Sequence, residues 1–504
     1  MITPEDEKNA EYLAALDIGS NSFHFVLARH IDQNIQILHA EKYRVQLAQG
    51  LDEQLNLSEE AMDRGLLALE KLATSTRHIE QDNFRAVATY TLRQAKNADQ
   101  FLKAASKVFP FTIEIISGHE EARLIYQGVA HHRQTNEQQL IIDIGGGSTE
   151  CIIGQAHQIK KLDSLNLGCV SYQQAFFADG VITERAFNNA IQSASHQVDS
   201  IVKRFKKTGW QHALGTSGTI KAITKIINAE NEFNQPISLS EVEQLQKRLL
   251  TFKHVADIDL PTLKESRRNV ICSGVAVLIA IMRCLEIKEL GFCQYALREG
   301  VLFEQLDNLQ HNNVRQRTVE SFITRFNIDT QQAENVRSQA LHLYQHVAEP
   351  WQVNKPIYHE LLKFAAVLHE LGIDINTSGY HKHGKYIIEQ ADMAGFNQEQ
   401  QFALAWLVGN QRKKITPLNL DDGYMLDHQA LHKLCALLRF SVLLNQQRHS
   451  EEEQQLSITA KDNVLEATID KRWLIERPII STELFYEQQA LSAVNITLII
   501  KTSP

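Results

Sequence analysis

Two segments of the chain, LDIGSNS at 16–22 and IDIGGGSTE at 142–150, run from apolar residues into an aspartate and then a turn of small residues. Such a turn lets successive backbone N–H groups converge on an anion, with serine and asparagine side chains as further donors. Gly19, Ser20, Asn21 and Ser22 have the right types in the first segment, and Gly145, Gly146, Gly147 and Ser148 in the second. The aspartates suit a hard, oxygen-liganded cation, because Mg²⁺ keeps several waters and takes one or two carboxylates while a phosphate completes its shell. Asp143 and Glu150 could share that duty, with Asp17 acting through water. Either turn alone would read as structural punctuation, and either aspartate alone as a turn cap. Their recurrence points to phosphate chemistry built from two copies of one motif.

The elements that must position these turns follow from local pattern. Short apolar runs from Tyr12 onward, broken by a glycine-centred turn, predict a meander of strands. Glu59 to Thr74 has helical periodicity behind an N-cap candidate at Ser58. The strands FRAVAT and FTIEIIS follow, separated by a helical run from Asn97 to Val108, so residues 1–131 read as an α/β lobe. Residues 132–310 repeat the strand–turn–strand opening and read as a second lobe. Residues 311–450 are helical in period and contain His342, His346, His359, His369, His381 and His383, and residues 451–504 return to alternating strands.

Composition narrows the function classes. A formal charge of −9 over 504 residues argues against nonspecific nucleic-acid binding, which needs a net basic face. The dense basic clusters are 203–207 and 411–414, each expected as a solvated helix face with contact to a polyanion as the alternative. Six cysteines without a CxxC pair suggest neither a zinc knuckle nor a disulfide framework and fit a reducing compartment. The polar, acidic N-terminus lacks signal-peptide order, and the apolar stretches read as shorter than a membrane span, so a cytoplasmic protein of bacterial type without a transmembrane segment is expected.

The segments DIGSNSFH, ATYTLRQAKNA, IISGHEEARLIYQGV, IDIGGGSTE, LGTSGT and ALREG together resemble the exopolyphosphatase and guanosine pentaphosphate phosphohydrolase (Ppx/GppA) family, densely over 12–310 and more loosely beyond. The resemblance implies an α/β fold of two ribonuclease-H-like lobes of the actin and Hsp70 type, followed by an all-helical HD-like domain and a small β-rich C-terminal domain. It implies Mg²⁺-dependent hydrolysis of a phosphoanhydride, with Glu121 as general base on the attacking water and Glu120 as its less favoured neighbour. Without it, both glutamates would read as charges that favour a helix N-terminus. Phosphate contacts are implied at Asn21, Ser22, Arg93, Gly145, Gly146 and Ser148, and metal contacts at Asp143, Glu150 and Asp17. Arg93 suits this because its planar guanidinium can bind phosphate through two parallel bonds. Gly215 and Ser217, with Gly218 beside them, are expected to border a substrate channel that Arg267 and Arg268 grip. Arg298 and Glu299 are expected in hinge or lobe packing.

True HD phosphohydrolases carry a His-Asp pair, whereas this chain has His369-Glu370, so the helical domain is expected to be structural or to guide substrate. The leading substrate is inorganic polyphosphate, cleaved at its terminal phosphate. The sister activity, which removes the terminal 5′-phosphate of guanosine pentaphosphate in the stringent response, uses the same machinery. Gly147, where pentaphosphate-specific relatives often carry alanine, and the stretches LHELGIDINTSGYHKH and GFNQEQQ favour polyphosphate, while LIYQGVAHH favours the other branch. A superfamily kinase fits poorly with the EEARL glutamate and the SNSF turn. A nucleotide-driven switch without turnover is the non-enzymatic alternative. A homodimer, in the cytoplasm or at the periphery of the inner membrane, completes the expectation.

Overall fold

The near-continuous apolar runs Leu13–Leu16 and Leu140–Ile142 suit central strands covered on both faces, and every one of these residues is buried. The structure, a computed structural model, describes residues 11–31, 34–133, 135–229, 235–309, 314–391, 393–418, 426–448 and 456–503. The N-terminal segment 1–10 and the domain borders expected at 310 and 450 lie outside these residues. The chain divides into two compact units, Met1–Asn312 and Asn313–Pro504.

In the first unit, β1 (Glu11–Ile18), β2 (Ser22–Ile31) and β3 (Asn34–Arg44) form an antiparallel meander. Then α1 (Glu59–Ser75), capped by Ser58, leads to β4 (Phe84–Ala88), α2 (Tyr90–Gln94), α3 (Ala98–Ala105), β5 (Ile113–Ile115) and α4 (Gly118–His132). The same order recurs as the meander β6 (Gln138–Ile144), β7 (Thr149–Gln155) and β8 (Gln158–Leu165), followed by α5 (Cys169–Phe176), α6 (Glu184–Thr208) and β9 (His212–Thr216). The lobe continues with α7 (Ser217–Ile227), β10 (Ile237–Ser238), α8 (Leu239–Leu249), α9 (Arg268–Leu285), β11 (Glu289–Phe292) and α10 (Leu297–Leu309). The sheets are ordered β3-β2-β1-β4-β5 and β8-β7-β6-β9-β11-β10, so five strands of the second repeat the first and β10 extends its edge.

The two-residue period decides which strand positions reach the space between the sheets. Ala14, Leu16 and Ile18 pack under α1 and α3, whereas Leu13, Ala15, Val26 and Ala28 join Ile141, Ile152 and Leu214 of the second sheet in one core with α4 and α10. Asp17 shares the parity of Leu13 and Ala15, and Asp143 that of Ile141, so both aspartates lie on the inter-lobe side. The helices of this shared core cross backbone to backbone: a Cβ on Gly300 would lie 1.8 Å from the Leu124 carbonyl oxygen, and one on Gly128 2.3 Å from that of Ala296.

One expectation about apolar length needs correction. Residues Glu265–Leu285 are long and apolar enough to cross a bilayer, and 78% of that window is buried. The reason is that α9 is a central helix of the second lobe, with Val275 through Met282 fully enclosed, and such a helix is apolar all round.

In the second unit, α11 (Val314–Arg325), α12 (Thr330–Val347), α13 (Pro356–Val367), α14 (Tyr380–Gln390), α15 (Gln398–Asn410) and α16 (His428–Leu444) precede β12 (Leu456–Lys461), β13 (Val464–Asp470), α17 (Lys471–Ile475), α18 (Pro478–Ser492) and β14 (Thr497–Ser503). The three strands share one hydrophobic core with the helices. Arg439, buried on α16, donates from Nε and Nη2 to the two carboxylate oxygens of Glu487 on α18, each at 2.7 Å. A guanidinium so enclosed requires that bidentate partner.

Candidate active site

Each Asp-Ile-Gly turn closes its own hairpin, and the two turns meet: a Cβ on Gly146 would lie 2.6 Å from Ser20 Cβ. Between the lobes opens a cavity of about 820 Å³. Asp17, Asn21, Ser22, Gly145, Gly146 and Ser148 line it, as do Asp143, Glu121, Ser217 and Arg267. Ser22 Oγ is buried without a hydrogen-bond partner, as befits a donor reserved for a ligand. Gly145 is a poorer donor than expected, because its N–H is already used on the Ser148 carbonyl at 2.9 Å to close the turn.

Cross-strand register sets a row of functional side chains in each lobe. Asp17 faces His24, which in turn faces Lys42, across β1, β2 and β3. In the second lobe Asp143 faces Glu150, which faces Ser164, across β6, β7 and β8. Glu150 does not line the cavity: its Oε1 accepts from Ser164 Oγ at 2.8 Å, and its Oε2 is buried and unpartnered.

Glu121 lies in the first turn of α4, whose N-cap is the Ser117 hydroxyl. Both glutamates of this turn are buried, which overturns the reading of them as ordinary helix-opening charges. Glu120 accepts from Nε and Nη2 of Arg123 at 2.8 and 2.7 Å and belongs to an internal network in which Glu304 bridges Arg123 and Arg85. Glu121 instead reaches the cavity. Arg93, expected to grip phosphate, does not line the cavity: its Nη1 donates to Glu121 Oε2 at 3.1 Å and to the Ile116 carbonyl at 2.9 Å. It therefore orients the carboxylate.

Burial and mutual repulsion dominate the electrostatics of the acidic end. Burial, then Glu121, pushes Asp17 up to about 7 against the pull of Arg298 and Lys42. Burial, then Glu121 and Asp17, raises Asp143 to about 8. Glu150 is pushed well above the carboxylate range by burial, Glu121 and Asp143, and burial raises Glu121 against the opposing Arg93. Carboxylates so placed ionise together only when a cation joins them, so the donor set fits a hard metal ion. Among the described residues no three His, Cys, Asp or Glu side chains form a ready cage.

Several residues were not legible from motif alone. Lys42, His24 and Tyr90 line the cavity, and burial followed by Arg267 lowers the Lys42 ammonium to about 8. The signal for His24 and Lys42 was the register itself, once Asp17 was placed. Arg298, expected in packing, also lines the cavity, while Glu299 caps the entry to α10 by accepting from the Ala296 N–H at 2.9 Å. Gly215 does not border the cavity: it lies in β9, where a Cβ would strike Ile220 and Leu290. Gly218 does, and it admits Arg267, whose Nη2 would sit 2.0 Å from an added Cβ. Arg268 is absent from the lining and has a buried Nε without a partner.

The basic clusters and the histidines of the helical domain are absent from the lining. Arg204 pairs with Asp163, Lys206 with Glu286, and Lys413 donates to the Ser378 carbonyl. In the second unit His369 is enclosed, with Nδ1 on the Ala366 carbonyl at 2.7 Å, and burial lowers it to about 4. Glu370 pairs with Arg448.

The model of the Ppx/GppA phosphatase family matches residues 26–309, and that of Ppx/GppA phosphatase, domain III, matches 314–488. The chain belongs to the Ppx/GppA phosphatase family. It is 38% identical over 97% of its length, and 98% of the relative's, to the guanosine-5′-triphosphate,3′-diphosphate pyrophosphatase of Pseudoalteromonas translucida. It is 37% identical to the Vibrio cholerae protein of the same name, over 94% of this chain and 95% of that one. Among solved structures, an exopolyphosphatase from Cytophaga hutchinsonii superposes with a TM-score of 0.55 at 22% identity, covering 59% of this chain and 98% of that one. The Aquifex aeolicus member of the Ppx/GppA family gives 0.51 at 22% identity, covering 60% and 99%. These likenesses establish the actin-like fold, and family membership makes the chain a phosphoanhydride hydrolase.

Proposed function

We propose that this Ppx/GppA member removes the terminal 5′-phosphate of guanosine pentaphosphate, leaving guanosine tetraphosphate and orthophosphate. The observation that carries the choice of substrate is the full-length similarity to proteins named for that nucleotide, against about three fifths of the chain for the exopolyphosphatase likeness. This reverses the modest preference for polyphosphate drawn from short segments. Gly147 bears on packing as well: a Cβ there would meet the Tyr90 ring at 2.1 Å, so a glycine or alanine at this position reports on local packing before substrate.

In this reading Glu121 accepts a proton from the water that attacks the terminal phosphorus, while the bond to the bridging oxygen breaks and the nucleotide departs with that oxygen. Arg93 fixes the Glu121 carboxylate, and its raised pKa makes it a better base than a free carboxylate. Asn21, Ser22 and the N–H groups of Gly146 to Ser148 hold phosphate oxygens, with Lys42, Arg267 and Arg298 lining the approach. Asp143, with Asp17 beside it in the cavity and Glu150 behind it on β7, would hold Mg²⁺, which when bound neutralises charge on the phosphoryl oxygens. The expected homodimer and cytoplasmic setting belong to the same reading.

The test is orthophosphate release with Mg²⁺ from guanosine pentaphosphate and from long-chain polyphosphate side by side. A kcat/KM for the nucleotide at least about tenfold above that for polyphosphate, a gap of 1.4 kcal/mol, supports the assignment. The reverse ranking makes the protein an exopolyphosphatase, and release from neither substrate overturns both.

A further inference from the structure

Five charged side chains gather on the inter-lobe side of the first sheet, outside the cavity lining. Glu304, enclosed on α10, bridges Arg85 of β4 and Arg123 of α4. Arg85 also donates from Nε and Nη2 to the two oxygens of Glu114 on β5, at 3.1 and 3.2 Å, while Arg123 forks onto Glu120. Burial opposes the charge on Glu304, yet Arg123 and then Arg85 outweigh it and hold the carboxyl down at about 2. The next residue, Gln305, donates from Nε2 to the Ala14 carbonyl of β1 at 3.1 Å. The elements so joined lead to the site. β1 carries Asp17, β4 runs into α2 and Arg93, α4 has Glu121 one residue from Glu120, and α10 opens with Arg298, which lines the cavity.

Stability alone gives little reason for such a network, because apolar side chains of similar volume often fill the same space at equal or lower free energy. What the charges add is direction. Two-pronged guanidinium–carboxylate pairs fix distance and orientation together, whereas apolar contacts tolerate sliding and rotation. We propose that Glu304 is a positioning residue: by holding Arg85 and Arg123 to one carboxylate it fixes the first turn of α4 against β4, and so sets Glu121 and Arg93 at the spacing that attack on phosphorus requires. The inference rests on the reading of Glu121 as general base and adds to it a residue outside the cavity. Glu304 is apart from the turns and the cations that hold phosphate, so its loss should slow the reaction and leave binding in place.

A double-mutant cycle separates positioning from general support of the fold. Orthophosphate release with Mg²⁺, from whichever of guanosine pentaphosphate and polyphosphate the full chain turns over faster, gives kcat and KM for the native protein, Glu304→Gln, Glu121→Gln and the double variant. Glu304→Gln should lower kcat by about 10- to 100-fold, the range for a reacting group displaced by up to about 1 Å, with KM within about threefold of native. With Glu121 already replaced, the same substitution should cost less than about threefold, since no base is left to displace. A folded Glu304→Gln that keeps the native kcat overturns the proposal and leaves the base assignment standing. An equal fold-loss in both backgrounds does the same, because it marks damage that does not pass through Glu121. A native kcat in Glu121→Gln removes the base itself and the proposal with it, as does release from neither substrate. Should Glu304→Gln fail to fold, which its melting curve reports, Arg123→Lys keeps the charge, loses the fork and goes through the same cycle.

Discussion

The two lobes place different chemistry on the same row of the same sheet. In the first, Asp17 is followed across the meander by His24 and Lys42; in the second, Asp143 is followed by Glu150 and Ser164. Only the aspartate is common. Repetition thus supplies the frame, and the next two strands decide what each half holds: a row that ends in the Lys42 ammonium, suited to substrate oxygens, and an acidic row suited to a metal ion. Glu121, on α4 between the sheets, is within electrostatic reach of both aspartates and belongs to neither row.

The largest effect should come from the residue that serves both halves. Glu121→Gln should lower kcat by about 10²- to 10⁴-fold with a much smaller change in KM, the range for loss of a general base. A loss below tenfold would place the base elsewhere. Next come the rows themselves. Asp143→Asn and Glu150→Gln should raise the Mg²⁺ concentration for half-maximal rate by about tenfold or more, whereas Lys42→Ala should raise KM and leave the metal requirement in place. Titrations in which all three variants shift the metal requirement alike would break the comparison.

Acid–base linkage sharpens it further. Asp17, near 7, and Asp143, near 8, are raised far above their unfolded values of about 4, so the stability linked to them is complete below pH 4 and is lost as pH rises through 7 to 8. The metal-free protein should therefore melt at lower temperature at pH 8 than at pH 6. Mg²⁺, which takes the place of those protons, should raise the melting temperature more at pH 8. Equal Mg²⁺ shifts at both pH values would contradict an acidic row that holds the ion. The smallest effect separates the two turns. Gly147→Ala should destabilise by about 1–3 kcal/mol through the Tyr90 ring, read by denaturant unfolding, while Asn21→Ala at the matching position should change KM and leave stability nearly untouched.

The chain's own letters went a long way toward this site. The matched aspartates, the small-residue turns, the Ser58-capped helix and the two-lobe repeat rest on local rules, namely apolar runs, turn chemistry and capping. What escaped rests on register and enclosure. His24 and Lys42 become partners of Asp17 only when hairpin length fixes which residues oppose one another. Glu120 and Glu121 are adjacent and identical in type, yet one points into an arginine network and the other into the cavity, a difference that a 100° turn of helix decides and sequence spacing alone does not.

The crossing of α4 and α10 carries a mechanical consequence. Side chains between helices act as cushions that absorb small shifts by changing rotamer, and at Gly128 and Gly300 that cushion is missing. A displacement of α10 along its axis is therefore passed to α4 with almost no slack, and Glu121 rides on the same rod. The two helices are coupled like a lever with little backlash, and the arm of that lever ends at Glu121.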